Sequence, residues 1–197
     1  MRRRILLAAA LLSLLAPGLL HAAPWQFDPA HTGVHFKVRH LMISSVRGEF
    51  EKVSGKILYD EADVTKSSAD VTIDAASINT RVAKRDDHLR SPDFIDAAKY
   101  PTITFTSKRV ERAGVGTLTM TGDLTIRGVT KEVVLTVEGP TPAIMDPGGN
   151  YRVGGQATTK IDRRDFGLVW NKVVEAGVVV GDEIEITIDV EIYKKPD

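Results

Sequence analysis

Cysteine is absent from the 197 residues, which excludes disulfides, a thiolate metal site, a cysteine nucleophile and a thiol-anchored lipid. Aromatic residues make up only 6% of the chain, too few for the aromatic girdles of a membrane barrel. Neither charge is in excess, with 26 basic residues against 26 acidic ones, so the basic surface expected of a nucleic-acid partner is missing. Long apolar runs are missing too, except near the start. There, Ile5 to Leu15 follows Arg2, Arg3 and Arg4 and is ended by Pro17-Gly18, short of the roughly 20 apolar residues of a membrane span. With Leu20-His21-Ala22-Ala23 behind it, this segment reads as a secretory signal peptide. Cleavage is expected after Ala22, because a cut after Ala23 would put the rigid Pro24 directly beyond the scissile bond. The mature chain, residues 23–197, then has 23 basic and 26 acidic residues, and it is expected to be a soluble, secreted single domain.

What is present is alternation. Val34, Phe36 and Val38 alternate with His35, Lys37 and Arg39, the period of a half-buried strand. Val46, Gly48 and Phe50 continue through an expected bulge at Glu51-Lys52 to Val53, Gly55, Ile57 and Tyr59, so the second strand should bend strongly. Ala69, Val71, Ile73 and Ala75 form a third strand, and Ile103 with Phe105 a fourth. The fifth runs from Gly116 through Leu118, Met120, Gly122 and Leu124 to Ile126 without an exception to period two. Arg127-Gly128 turns it into a sixth strand at Val133, Leu135 and Val137. Tyr151 to Ile161 and Ile184 to Ile192 supply the last two. Eight strands with one apolar face each predict an all-β, antiparallel up-and-down barrel with a helical insertion between strands 3 and 4. The other parity carries Lys37, Arg39, Asp70, Asp74, Glu183, Glu185, Asp189 and Glu191, a set that a narrow lumen would hold only as a dense paired network. The apolar parity is therefore expected inside.

The helical insertion, residues 80 to 105, concentrates charge. Thr80 reads as an N-cap, Val82, Arg85, Asp86 and Leu89 recur at helical spacing, and Ser91-Pro92 starts a further turn. Asp86, Asp87 and His88 are acid–base material, but consecutive helical residues diverge by about 100°. A structural network around Arg85 and Asp86 is expected, and no catalytic residue is assigned. His31, His35 and His40 lie at a strand entry, where residues 31 and 35 are about 13 Å apart on an extended chain, too far for one metal. No metal site is assigned. Asp165-Phe166-Gly167 reproduces the magnesium triplet of protein kinases without the other kinase motifs; it is read as a clamp, with Arg163 or Arg164 pairing carboxylates. Gly48, Gly55, Gly116, Gly122, Gly155 and Ala157 are small residues on apolar faces, which either leave a cavity or mark bends that close the barrel.

Several blocks resemble the YceI-like family in order: WQFDPAHTGVHFKVRH at Trp25 to His40, RDDHLRSPDFID and YPTITF, GDLTIRGVTKEV at Gly122 to Val133, and IDRRDFG at Ile161 to Gly167. Ile95 departs from the family's second aromatic after Phe94. The resemblance implies a lipocalin-like, periplasmic protein whose barrel holds a long polyisoprenoid, such as the tail of a quinone or a polyprenyl lipid, in an apolar tunnel. No enzyme activity is expected, and no cofactor other than that bound lipid. The expected tunnel wall is Phe36, Val38, Phe50, Ile57, Val71, Ile73, Phe94, Ile103, Phe105, Leu118, Met120, Leu124, Leu135, Ile161, Phe166, Trp170, Ile186 and Ile188. Val82, Leu89 and Ile95 are expected to form a lid. Each five-carbon unit removed from water is worth roughly 3 to 4 kcal/mol gross, less the cost of ordering the chain. Two other classes are a stress-related or partner-binding module with an incidental cavity, and an enzyme using Asp86 or His88 at the tunnel mouth. A barrel face or the Asp162 to Asp182 loop offers a surface for a homodimer.

Overall fold

The barrel depends on one bent strand. In a computed structural model, residues 24–174 and 177–196 are described; the expected signal peptide, residues 1–22, lies outside them. The long strands are β1 Gly33–His40, β2 Ser44–Phe50, β3 Val53–Leu58, β4 Ser68–Asp74, β5 Thr102–Gly114, β6 Thr117–Ile126, β7 Val129–Glu138, β8 Tyr151–Asp162 and β9 Val180–Lys194. β2 and β3 are two halves of the second strand expected from the sequence, separated only by Glu51-Lys52. β2 pairs with β1 and β3 pairs with β4. The ladder continues antiparallel from β4 through β5, β6, β7 and β8 to β9, and β9 returns to β1. Counted with the bent strand as one, this is an eight-stranded up-and-down barrel.

The neighbouring strand bends in step. Its 3-10 turn Ala75–Ser77 is capped by the Asp74 side chain, which accepts from the Ala76 amide at 2.9 Å. Beyond the turn, Ile78 and Asn79 pair with Phe50 and Glu49. The backbone groups released by the bend find partners there. The Glu51 amide donates to the Ser77 carbonyl at 3.1 Å, the Asp74 amide to the Lys52 carbonyl at 3.0 Å, and the Lys52 amide to Ser77 Oγ at 3.1 Å. A bulge of this kind is tolerated where its unpaired groups are satisfied. The ladder is shortest between β7 and β8, where only Thr136 to Glu138 pair with Thr158 to Gln156. The 3-10 turn Arg163–Phe166 packs against β7 and β9 beside this divergence, with Phe166 1% exposed.

The apolar parity faces inward, as expected. The polar parity carries cross-strand ion pairs on the outside: Lys37 with Glu185 at 2.6 Å, Lys108 with Asp123 at 2.6 Å and Lys160 with Glu183 at 2.9 Å. A charged outer wall is the reverse of a lipid-facing barrel. Among the described residues no helix is long and apolar enough to cross a membrane.

The small residues divide between the two explanations offered by the sequence, with Gly155 and Ala157 lining the interior space, and add a third. Gly116, at φ +68°, is a turn residue between β5 and β6 rather than an inward-facing one. Gly55 permits a close backbone approach, since a Cβ there would stand 2.8 Å from the Asp70 carbonyl. Gly48 and Gly122 instead seat aromatic rings: a Cβ would stand 2.4 Å from Phe36 Cζ and 2.5 Å from Phe105 Cζ, respectively. At Gly122 it would also meet the Thr106 carbonyl at 2.5 Å, so moving the ring alone does not relieve the clash. Gly122→Ala is expected to lower unfolding stability by about 1–3 kcal/mol, read as a fall in the urea midpoint at unchanged slope.

Candidate functional site

The inward side chains enclose an apolar cavity of about 300 Å³. Phe36, Val38, Phe50, Ile57, Val71, Ile73, Phe94, Ile103, Phe105, Leu118, Met120, Leu124, Leu135, Ile161, Ile186 and Ile188 all line it. Phe166 and Trp170 do not. Phe166 is turned into the packed core beside the cavity, because its 3-10 turn fills the space where β7 and β8 part. Trp170 lies against Phe94 and His88 at centroid distances of 5.0 and 4.9 Å. Val34, Val53, Ala69, Val110, Val137, Val153, Ala157 and Ile184 line the cavity as well. All but Val110 share the inward parity of the residues selected from the sequence, so the period-two signal was sufficient to find them; Val110 is turned inward by the register shift between Ser107 and Arg109.

One end is covered by the helical insertion, which differs from expectation at its start. Helix α1 spans Ala83–Arg90, and its N-cap is Val82, which makes no side-chain capping bond. Thr80 is a buried anchor instead. Its amide and Oγ1 donate to Asp86 Oδ1 at 2.8 and 2.5 Å, while Arg85 donates to Thr80 Oγ1 at 2.7 Å and to its carbonyl at 2.9 Å. The carboxylate in the helix thus caps the incoming chain, the inverse of an N-cap. Arg85 and Asp86 form the structural network expected of them. Leu89 and Ile95 line the cavity, but Val82 is 47% exposed, since the helix begins only after it, and is no part of the lid.

His88 shares a hydrogen bond with Asp93 at 2.8 Å and places its ring edge-on to Phe94 and Trp170. Asp87 pairs with Arg90 at 3.1 Å. The acid–base residues of the insertion therefore point to different partners rather than converging. Arg127, read from the sequence as ordinary hairpin chemistry, has a larger part. With φ at +50°, it donates to the carbonyls of Phe94 at 2.9 Å and Gly167 at 3.2 Å, joining the insertion to the Arg163–Phe166 turn. No local pattern announces this contact, because its acceptors are backbone atoms 33 and 40 residues away.

Arg163 is the buried polar group on the same side, 2% exposed. Its guanidinium donates to the carbonyls of Gly181 at 3.0 Å and Trp170 at 2.9 Å, to that of Leu168, and to Asp182 Oδ1 at 3.0 Å. Arg164 pairs with Asp162 and Asp182 at 2.6 and 3.3 Å. The clamp expected of these two arginines is present, and its main acceptors are carbonyls.

The opposite end is closed by the N-terminal segment. Gln26 and Phe27 pair with β9, Phe27 lines the cavity, and Trp25 meets Tyr59 edge-to-face at 5.5 Å. Burial pushes the Tyr59 phenol up. Beside it, Asp28, His31 and Glu191 lie close enough to share a metal ion. A cation already fills the space between the carboxylates: the Arg152 guanidinium donates to Asp28 Oδ2 at 2.6 Å, Asp146 Oδ2 at 2.5 Å and Glu191. His31 pairs with Asp28 at 2.9 Å, whereas His35 lies on the outer face between Glu49 and Asp189, at 3.6 and 3.9 Å. The Asn150 amide and Arg152 hold the Asp146 carboxyl well below the usual carboxylate range.

The hydrogen bond from Arg152, helped by His31 and the Ala30 amide, lowers Asp28 to about 2 against burial. A carboxylate held below its unfolded value of 3.8 stabilises the fold above that pH, and its contribution is lost as pH falls towards about 2. In Asp28→Asn the unfolding midpoint is expected to be lower at neutral pH and to fall less steeply across that window. The remaining slope is assigned to Asp146, held well below the carboxylate range by Asn150 and Arg152, and to Asp162, lowered to about 2 by Arg164.

A closed barrel with an apolar interior and few polar wall atoms defines a small-molecule binding fold. Residues 25–192 match the YceI-like domain, and the chain belongs to the YceI-like family. A UPF0312 protein of Vibrio cholerae is 38% identical over 187 residues, 93% of this chain and 97% of that one. The YCEI protein of Campylobacter jejuni is 39% identical with a TM-score of 0.69, covering 86% of this chain and 96% of that one. A polyisoprenoid binding domain from Saccharophagus degradans, implicated in plant cell wall breakdown, has a TM-score of 0.60 at 19% identity, covering 88% and 99%; it shares the fold.

Proposed function

We propose that the protein is a non-enzymatic carrier of a long-chain polyisoprenoid, exported to the periplasm by its cleaved signal peptide. The observation that carries this reading is the continuous apolar wall from Phe27 and Val64 at one end to Leu89, Phe94 and Leu168 at the other. Such a wall recognises length and apolarity rather than a reactive group. The binding described for the Saccharophagus degradans domain is consistent with it, although the cavity rather than that likeness supports the reading here. Met120, unbranched and polarisable, is suited to adapting the wall to a chain lying against it.

The wall also favours a class of head group. Arg163 is the cationic side chain among the described lining residues, and its donors are committed to three carbonyls and Asp182. A phosphate would enter such a site without a free counter-charge. The cargo is therefore a neutral isoprenoid, such as a quinone, or a lipid whose charged head stays outside.

Organic extraction and mass spectrometry of gently purified protein are expected to find an isoprenoid. Ala157→Leu, which adds bulk to the cavity wall without adding charge, is expected to reduce loading severalfold while leaving the circular dichroism of the barrel intact. Wild-type protein free of isoprenoid, or equal loading in the variant, would sink the reading. The intact mass of periplasmic protein is expected to correspond to a chain beginning at Ala23; retention of residues 1–22 would refute the export assignment.

A further inference from the structure

The rim of the barrel beside Trp170 carries apolar side chains that the cavity does not use. Ile43, in the turn between β1 and β2, is 78% exposed, and Val169 and Val173 are 69% and 86% exposed. Their segments are fastened together. The Leu41 amide donates to the Val179 carbonyl at 2.8 Å, and the Val179 amide donates to the Lys172 carbonyl at 3.0 Å. Arg163 joins the Leu168 and Trp170 carbonyls to that of Gly181, and Val180 pairs with His40.

This outer patch is continuous with the interior. Leu168 and Val180 line the cavity, while Val169 and Val173, on the same connected loop, stand in solvent. Exposed apolar residues scattered singly need no explanation, but a set converging on the rim of an apolar cavity marks an interaction surface. The exposed charges on the segments that carry Ile43, Val169 and Val173 are cationic, while Asp165 is an exposed carboxylate of the neighbouring turn. Arg39, Arg47 and Lys172 are exposed, and Arg39 is spent only on the Met42 carbonyl, at 2.7 Å. Among the described residues none of the three is in an ion pair, whereas the nearby carboxylates Asp182 and Glu185 are taken by Arg163, Arg164 and Lys37. The surface so defined does not include residues 174–176.

We propose that this rim docks on an anionic lipid bilayer. Ile43, Val169 and Val173 enter the boundary between head groups and acyl chains, and Arg39, Arg47 and Lys172 face the anionic head groups. The inference rests on the carrier reading for its purpose alone: an apolar cargo would pass between bilayer and cavity along Leu168 and Trp170 without crossing water.

The test is flotation of the delipidated mature protein with vesicles of phosphatidylcholine, with and without phosphatidylglycerol, at low and high salt. Wild type is expected to float with the phosphatidylglycerol vesicles and to be released by salt. Ile43→Ser combined with Val173→Ser, and separately Arg39→Gln combined with Lys172→Gln, are each expected to weaken partitioning about tenfold. Circular dichroism should stay unchanged. Failure of wild type to float, equal flotation of the variants, or variants that alter only the oligomeric state would overturn the docking surface. Protein that floats but never carries isoprenoid would keep the surface and remove the carrier reading; protein that carries isoprenoid without floating would do the reverse.

Discussion

The side of the barrel next to the helical insertion depends on one buried cation. A guanidinium 2% exposed is costly to desolvate, and Arg163 persists because each edge of its fork meets an acceptor. Those acceptors come from two separate pieces of chain, Leu168 to Trp170 and Gly181 to Asp182. The entry of β9 and the loop before it are thereby tied at a single point. Leu168 is directed to the cavity, Val169 to solvent and Trp170 onto Phe94 and His88. Arg127 repeats the device one turn away by holding the carbonyls of Phe94 and Gly167. Backbone that would otherwise lie unsatisfied across the end of a barrel is paired by two arginines.

Inside, the packing reconciles a barrel that is closed with one that is not filled. Phe36 and Phe105 do not point straight across the lumen but lie over Gly48 and Gly122 on neighbouring strands. Each ring covers the exposed backbone of a glycine and in doing so leaves the central space to the ends of aliphatic side chains. The remaining volume is apolar on nearly every side, which stops water from gaining the two to four polar partners it needs to be held there. Apolar burial then supplies the driving force for a ligand, and specificity rests on shape and on the absence of counter-charge.

The strands were legible because a barrel with charged residues outside and apolar residues inside imposes a strict period of two. The bend at Glu51-Lys52 was legible for the same reason, as a shift of parity. Errors fell where local preference and tertiary demand diverged. Thr80 has the composition of an N-cap, yet its hydroxyl is drawn to the Asp86 carboxylate, and the helix starts at Ala83, two residues later than such a cap would place it. Gly116 continued the alternation of its strand, but the φ > 0 needed at the turn claimed it. Phe166 and Trp170 are expected in the wall, but the short β7–β8 ladder draws one into the core, and the aromatic contacts of His88 and Phe94 draw the other to the rim.

By itself the sequence determined the fold class, the inward parity, most of the cavity wall and the membership of the YceI-like family, since each is written in local alternation and ordered blocks. The tertiary structure alone decided that Gly48 and Gly122 are seats for aromatic rings, that Arg127 and Arg163 fasten the covered end, and that Val82 is outside the lid. It also decided that Ile43, Val169 and Val173 share one rim. These are contacts between residues distant in the chain, in several cases through backbone carbonyls that every residue possesses, and no side-chain pattern can encode a partner that carries no side-chain identity.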